Sequence, residues 1–176
     1  LKHQERLTFA RIGITDPLSL DDYLANEGYA GLQRALSMTE EQIVQEVTDS
    51  GLRGRGGAAF PTGIKWNTVR TTQATQIYIV CNADEGDSGT FSDIAGLAVG
   101  ANKGYLYVRS EYPHAIAVLN DAIALAEQAG YLGERICGSD KAFELEVRVG
   151  AGSYVCGEET ALLESIEGRR GIVRAK

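Results

Sequence analysis

Three short stretches of the chain concentrate residue types that can hold a ligand. Gly54-Arg-Gly56-Gly-Ala-Ala59 sets glycines where successive backbone N–H groups can face one anion, with Arg55, Gly57 and, further on, Lys65 completing a positively charged loop. The spacing also satisfies the dinucleotide pattern G-x-G-x-x-G/A, whose mechanics need a strand before the loop and a helix after it. Neither is predicted here. A helix ends near Asp49, and Phe60-Pro61-Thr62-Gly63 comes too soon for a clean helix, so the ordinary dinucleotide reading fails on context. A solvated, Gly-rich surface loop has the same composition.

The second stretch, Asn82-Ala-Asp-Glu-Gly-Asp87, follows an apolar run directly, where parallel sheets bind ligands. Asn82 can donate and accept, and Asp84 can accept from a heterocycle N–H or a polyol hydroxyl. Asp and Glu cap turns equally well. The third stretch, Tyr154-Val-Cys-Gly-Glu-Glu159, puts two carboxylates at the start of a predicted helix, where the macrodipole favours them, so capping is the plain reading. A phosphate at that terminus would be repelled by the pair, whereas a ring edge or ribose hydroxyls would not. Cys156 reads as a small buried neighbour rather than a nucleophile. His3 and His114 are the only histidines, which leaves little to build a triad or a metal cage from.

These stretches need elements to position them. Leu7, Phe9 and Ile12 suggest a short edge strand, and Asp16-Pro17 a turn into a helix capped by Ser19 over Tyr23-Leu24. Thr39 and Gln42 form a capping box ahead of Ile43, Val44 and Val47, and Ser50-Gly51 stops that helix. Ile77 to Cys81 is a continuous β-prone run, read as a buried parallel strand, and Tyr105 to Val108 is another. Pro113 opens a helix with Ile116, Leu119, Ala122, Ile123 and Ala126 on one face, closed by Gly130. Phe143, Leu145, Val147 and Val149 alternate with charged residues as a strand. Gly150-Ala-Gly152 leads to a last helix from Gly157 to about Gly168. Strand, helix and strand in turn predict an α/β fold, a Rossmann-like parallel sheet flanked by helices, in one domain spanning 1–176.

The bulk composition agrees. A net charge of −7 without a long Lys/Arg run argues against nucleic acid or an anionic membrane as partner, and no segment has the length of a membrane span. Three widely spaced cysteines form neither a disulfide framework nor a C-x-x-C metal site, and a reducing cytoplasm suits them. Glycine is the unusual count, 21 of 176, which points to tight turns and backbone brought close to a ligand.

Taken together the motifs are specific. Gly51-Leu-Arg-Gly-Arg-Gly-Gly57, Phe60-Pro-Thr-Gly-Ile-Lys-Trp66, Asn82-Ala-Asp-Glu-Gly86 and Gly150-Ala-Gly-Ser-Tyr-Val-Cys-Gly-Glu-Glu-Thr160 occur in one order over nearly the whole chain. In this the chain resembles the FMN- and NADH-binding subunits of respiratory complex I, NAD-reducing hydrogenases and soluble NAD-dependent formate dehydrogenases. Leu7-Thr-Phe-Ala-Arg11, Asp16 to Tyr23, Gly86-Asp-Ser-Gly-Thr-Phe91 and Ser110-Glu-Tyr-Pro-His114 most resemble the beta subunit of the cytoplasmic, molybdenum- or tungsten-containing formate dehydrogenases.

The resemblance implies roles. Gly54, Arg55, Gly56 and Gly57 would hold the FMN phosphate region, with Lys65 beside it. Asn82 and Asp84 would bind the flavin and Glu85 support their loop. Gly157 and Glu158 would complete the cradle, with Tyr154 of the same motif, and Phe60 would stack on the adenine of NADH. Glu159 and Asp87 would hydrogen-bond the dinucleotide. The chemistry implied is hydride transfer between nicotinamide and FMN, followed by single-electron passage to an iron–sulfur centre in the rest of the subunit or its partners. In a formate dehydrogenase the partners would be an iron–sulfur subunit and the molybdenum or tungsten catalytic subunit, with NAD+ reduced at the expense of formate.

The chain also departs from the family. Asp87 stands where complex I usually has Glu, and Ala59 where the loop more often has Gly. The family carries a further stretch between Asp93 and Ile94. After Lys176 it places a β-grasp domain and a helical bundle with the cysteines of a 4Fe–4S cluster. The domain is therefore expected to be incomplete. A complex I or hydrogenase diaphorase subunit, a flavin-free scaffold of the same fold and a plain nucleotide-binding module are the alternative readings.

Overall fold

A computed structural model describes residues 10–54, 58–83, 92–151 and 153–174, with the backbone alone for Ser92. Leu7 and Phe9 of the predicted edge strand lie outside these residues. Ile12 is not in a strand: the amides of Ile14 and Thr15 both donate to the Arg11 carbonyl, and the turn leaves Ile12 64% exposed. The next start signals act as expected. Asp16 accepts from the Leu18 amide, and the Ser19 hydroxyl accepts from the Asp22 amide to begin α1 (Leu20–Ala25). Helix α2 (Ala30–Leu36) carries no side-chain cap, so no sequence punctuation announced it; burial of Leu32 and Ala35 holds it. In α3 (Glu40–Asp49) both halves of the Thr39/Gln42 capping box form, and the chain leaves at Gly51 with φ +69°.

The stretch expected to be too short for a helix does form one. Helix α4 (Thr62–Thr71) starts one residue after Pro61, with a sequence of weak helix formers. Packing decides here. Gly63 lies so close to α3 that a Cβ would sit 2.1 Å from the Thr48 hydroxyl, and half-buried Trp66 and Val69 pack on the cluster of Ile43, Val44, Ala98 and Val99.

Strands β1 (Tyr78–Ala83), β2 (Lys103–Arg109) and β3 (Glu144–Gly150) form a parallel sheet in that order, with Asn82 opposite Tyr107 and Arg109 opposite Gly150. β2 is central and the most buried. β1, expected to be buried, is an edge strand among the described residues, with Tyr78 and Asn82 exposed. The crossover helices α5 (Ser92–Val99) and α6 (Pro113–Gln128) lie on one face with α1 and α2, where Phe143, Ile79 and Leu145 meet Leu97 and Ile123. The other face carries α7 (Glu159–Ile166), reached through a 3-10 turn over Tyr154–Gly157, and packs Tyr107 and Val80 against Cys156, Leu162 and Ile166. The two faces follow from the two-residue period of β2, whose Leu106 and Val108 point one way and Tyr107 the other. Among the described residues no helix is long and apolar enough to cross a membrane.

Candidate functional site

Parallel strands present their unpaired carboxyl ends, and the loops that leave them, to one edge of the sheet. Two loops come together at that edge. Asn82, next to last in β1, donates its side-chain amide to the Gly157 carbonyl at 2.8 Å, tying the end of β1 to the turn that precedes α7. Gly150, last in β3, accepts from the Ser110 amide at 3.0 Å. It has to be glycine, because a Cβ would lie 2.2 Å from the Tyr107 hydroxyl, and Tyr107 is 2% exposed and cannot give way. That hydroxyl shares a 2.9 Å hydrogen bond with Ser165 and so anchors α7 to the central strand.

Glu158 is the N-cap of α7. One of its carboxylate oxygens accepts from the amides of Thr160 at 2.9 Å and Ala161 at 3.0 Å and from the Thr160 hydroxyl. The capping role that the sequence suggested for this acidic pair therefore falls to Glu158. Glu159, one residue on, sits exposed in the first turn, and Tyr154, in the turn before α7, is 77% exposed. Cys156 is buried between them. Beyond α7 the chain folds back: the Arg174 amide donates to the Thr160 hydroxyl, and Arg174 and Arg169 pair with buried Glu164.

The glycine loop is closed by a short antiparallel bridge. The Gly54 amide donates to the Phe60 carbonyl and the Thr62 amide to the Leu52 carbonyl, both at 2.9 Å, while the Arg53 guanidinium reaches the Ala59 carbonyl. Ala59 has φ +43°, a left-handed conformation that costs an L-residue roughly 1 kcal/mol or more. The loop delivers the chain into the N-terminus of α4, where Lys65 is exposed in the second turn and Phe60 shows 52% of its surface. A helix thus does follow the loop, as anion-binding loops require, although α3 and not a strand precedes it.

Of the residues singled out by sequence, Asn82, Gly157, Glu158, Glu159 and Tyr154 gather at the sheet edge. Gly54 and Phe60 belong to the loop before α4 and Lys65 to α4 itself, which reaches the sheet through α5. Arg55, Gly56, Gly57, Asp84, Glu85 and Asp87 lie outside the described residues. Sequence reasoning missed Thr160, whose hydroxyl serves Glu158 and the returning tail at once. It also missed Tyr107 with Ser165; Tyr107 was legible only as one aromatic in an apolar run.

The Nuo51 FMN-binding domain family matches residues 47–96 and 92–176. The NADP-reducing hydrogenase subunit HndC of Solidesulfovibrio fructosivorans is 49% identical over 186 aligned residues, covering 97% of this chain and 38% of the relative. An NADH-quinone oxidoreductase subunit of Aquifex aeolicus is 46% identical over 90% of this chain and 41% of its own length. The corresponding protein of Escherichia coli K12 is 43% identical over 91% and 40%. A crystal structure of NAD+-reducing NiFe-hydrogenase in the H2-reduced state superposes with a TM-score of 0.68 at 34% identity, covering 99% of this chain and 30% of that one. This chain spans about two-fifths of the curated relatives it matches. On these matches the chain belongs to the family of the Nuo51 FMN-binding domain.

Proposed function

We propose that this chain is the FMN- and NAD-binding part of an oxidoreductase subunit that moves electrons between NAD(H) and an iron–sulfur chain. The observation that carries the reading is the Asn82–Gly157 hydrogen bond, which joins two ligand-type loops at the carboxyl edge of a parallel sheet in a member of an FMN-binding family. The donor set suits a flavin mononucleotide. Amide-rich turns and an Asn offer hydrogen bonds to a ring edge, and Gly54, Arg55, Gly56 and Gly57 precede the positive end of α4, where a phosphate is favoured and Lys65 adds its charge. Bound FMN would accept an electron pair from the nicotinamide and release electrons one at a time.

In this assignment the chain's own residues position and shield. Asn82 and Asp84 orient the ring, Glu85 holds their loop, and Gly157 and Glu158 close the cradle with Tyr154. Phe60 offers an exposed ring to the adenine, and Glu159 and Asp87 take the dinucleotide. The two-piece family match and an alignment with HndC longer than this chain support a stretch of the family missing after Asp93. The 4Fe–4S cluster belongs to the part of the relatives that this chain does not span.

The finer reading is the NAD-reducing beta subunit of a cytoplasmic formate dehydrogenase, coupling formate oxidation to NADH beside an iron–sulfur subunit and a molybdenum or tungsten subunit. It rests on Leu7 to Arg11, Asp16 to Tyr23, Gly86 to Phe91 and Ser110 to His114. The named relatives favour a second reading, a complex I or hydrogenase diaphorase subunit. A visible spectrum of the native subunit in its complex, before and after NADH, tests the common claim: flavin absorption that bleaches is expected, and a colourless protein overturns it. Comparing formate, hydrogen and quinone as partners in NAD(H) turnover separates the finer readings. Glu159→Gln should slow NADH turnover and keep the flavin; loss of flavin would show that Glu159 has another role.

A further inference from the structure

A cavity of about 370 Å³ lies between α1, α6 and the strands β2 and β3, on the sheet face opposite α7. It is the reason the apolar face of α6 is only half covered: Leu119, Ala122 and Ile123 look into it, and Ala126 alone is buried. Most of its wall is hydrocarbon, from Leu106, Leu119 and Leu145 among others. Three groups are not.

Asp93, at the start of α5, lines the cavity while only 7% exposed. It accepts the Ile94 amide at 2.8 Å, and among the described residues it forms no ion pair. A carboxylate in such surroundings is held at a cost unless a cation or several donors meet it. Tyr23 and Tyr29 complete the polar side. Their rings stand edge to face with centroids 5.0 Å apart at 81°, and Tyr29 is held by stacking on Tyr131 at 4.0 Å. Tyr23, Tyr29 and Asp93 all line this one cavity.

A carboxylate, two aromatic rings at right angles and a hydrocarbon chamber select one ligand chemistry. A hydrated metal ion needs a shell of oxygen ligands that the hydrocarbon wall does not offer. An anion meets the wrong charge, and a neutral hydrocarbon leaves Asp93 desolvated and unanswered. An organic ammonium answers both, with its head beside the carboxylate and the tyrosine rings that line the cavity and its tail against leucines.

We propose that this cavity binds a small alkyl- or aralkylammonium ion, its head between Asp93, Tyr23 and Tyr29 and its apolar part along Leu106, Leu119 and Leu145.

The test is calorimetric titration of the intact protein with benzyltrimethylammonium and with its uncharged carbon isostere neopentylbenzene, at about pH 8. The cation is expected to bind one to one, and the isostere roughly tenfold more weakly or worse. Asp93→Asn should remove that preference, and Ala122→Trp, which fills the chamber without touching charge, should abolish both titrations. Equal binding of the two probes, no binding of the cation, or cation affinity unchanged in either variant overturns the proposal. Circular dichroism checks that each variant is folded; if Asp93→Asn is not, the two probes and Ala122→Trp decide.

Discussion

Two of the acids at helix starts, Glu158 at α7 and Asp93 at α5, are treated differently by the fold. At α7 the Glu158 carboxylate is met by two backbone amides and a hydroxyl, all from the turn it caps. At α5 the Asp93 carboxylate is sunk deeper and is met by the amide of its neighbour Ile94. Burial pushes the Asp93 carboxyl up from its ordinary 3.8 to about 6. The lesson is that an acid at a helix start is stabilising only when it meets enough donors for its depth of burial. Sequence position alone does not decide this.

The largest expected effect breaks the comparison at its weak side. Asp93→Asn keeps the shape and the amide contact but removes the buried charge, and should raise stability near neutral pH by up to about 3 kcal/mol, read from urea unfolding. A variant no more stable than the parent would mean that Asp93 is already answered by a partner. The pH dependence has a definite sign. The folded acid titrates higher than the unfolded one, so the folded state holds a proton that the unfolded chain has lost between about pH 4 and 6. The penalty is therefore fully present above about pH 6 and relieved as pH falls to about 4. The stability gap between Asp93→Asn and the parent should close over that interval. Tyr23, Tyr29 and Cys137 are pushed upward, by burial first and by the Asp93 charge after it, away from this range.

The strong side breaks less dramatically. Glu158→Ala strips the cap of α7 and should cost about 1–2 kcal/mol, with loss of protection at the amides of Thr160 and Ala161 in hydrogen exchange. Unchanged exchange there would deny the capping role. Ala59→Gly removes backbone strain instead of charge and should be neutral to stabilising by about 1 kcal/mol in the same unfolding assay, despite the added freedom of glycine in the unfolded chain. Tyr107→Phe deletes the hydrogen bond to Ser165 and should cost about 1 kcal/mol, seen as a small fall in Tm.

Several of these features were visible in the amino acids. Ser19, Thr39 with Gln42, Pro113 and Gly51 punctuate helices through bonds made within one turn, so their signals are local and they act as read. The parallel order of β1, β2 and β3 follows from alternating strand and helix patterns, and the Asn82 and Glu158 loops fall at strand ends for the same reason. The resemblance of the motifs to FMN- and NADH-binding subunits was likewise present in the residues, and the family match agrees with it.

Tertiary packing decided the rest. Helices α2 and α4 lack strong local caps and exist because Leu32, Ala35, Trp66 and Gly63 meet partners far along the chain. Which strand is an edge, which glycine lies under the Tyr107 hydroxyl, and whether an acid is capped or stranded are questions of what approaches from outside the segment. A sequence carries the periodicity and caps of each element, because those energies act over a few residues. Burial and desolvation act between elements, and only the assembled sheet and its helices assign them.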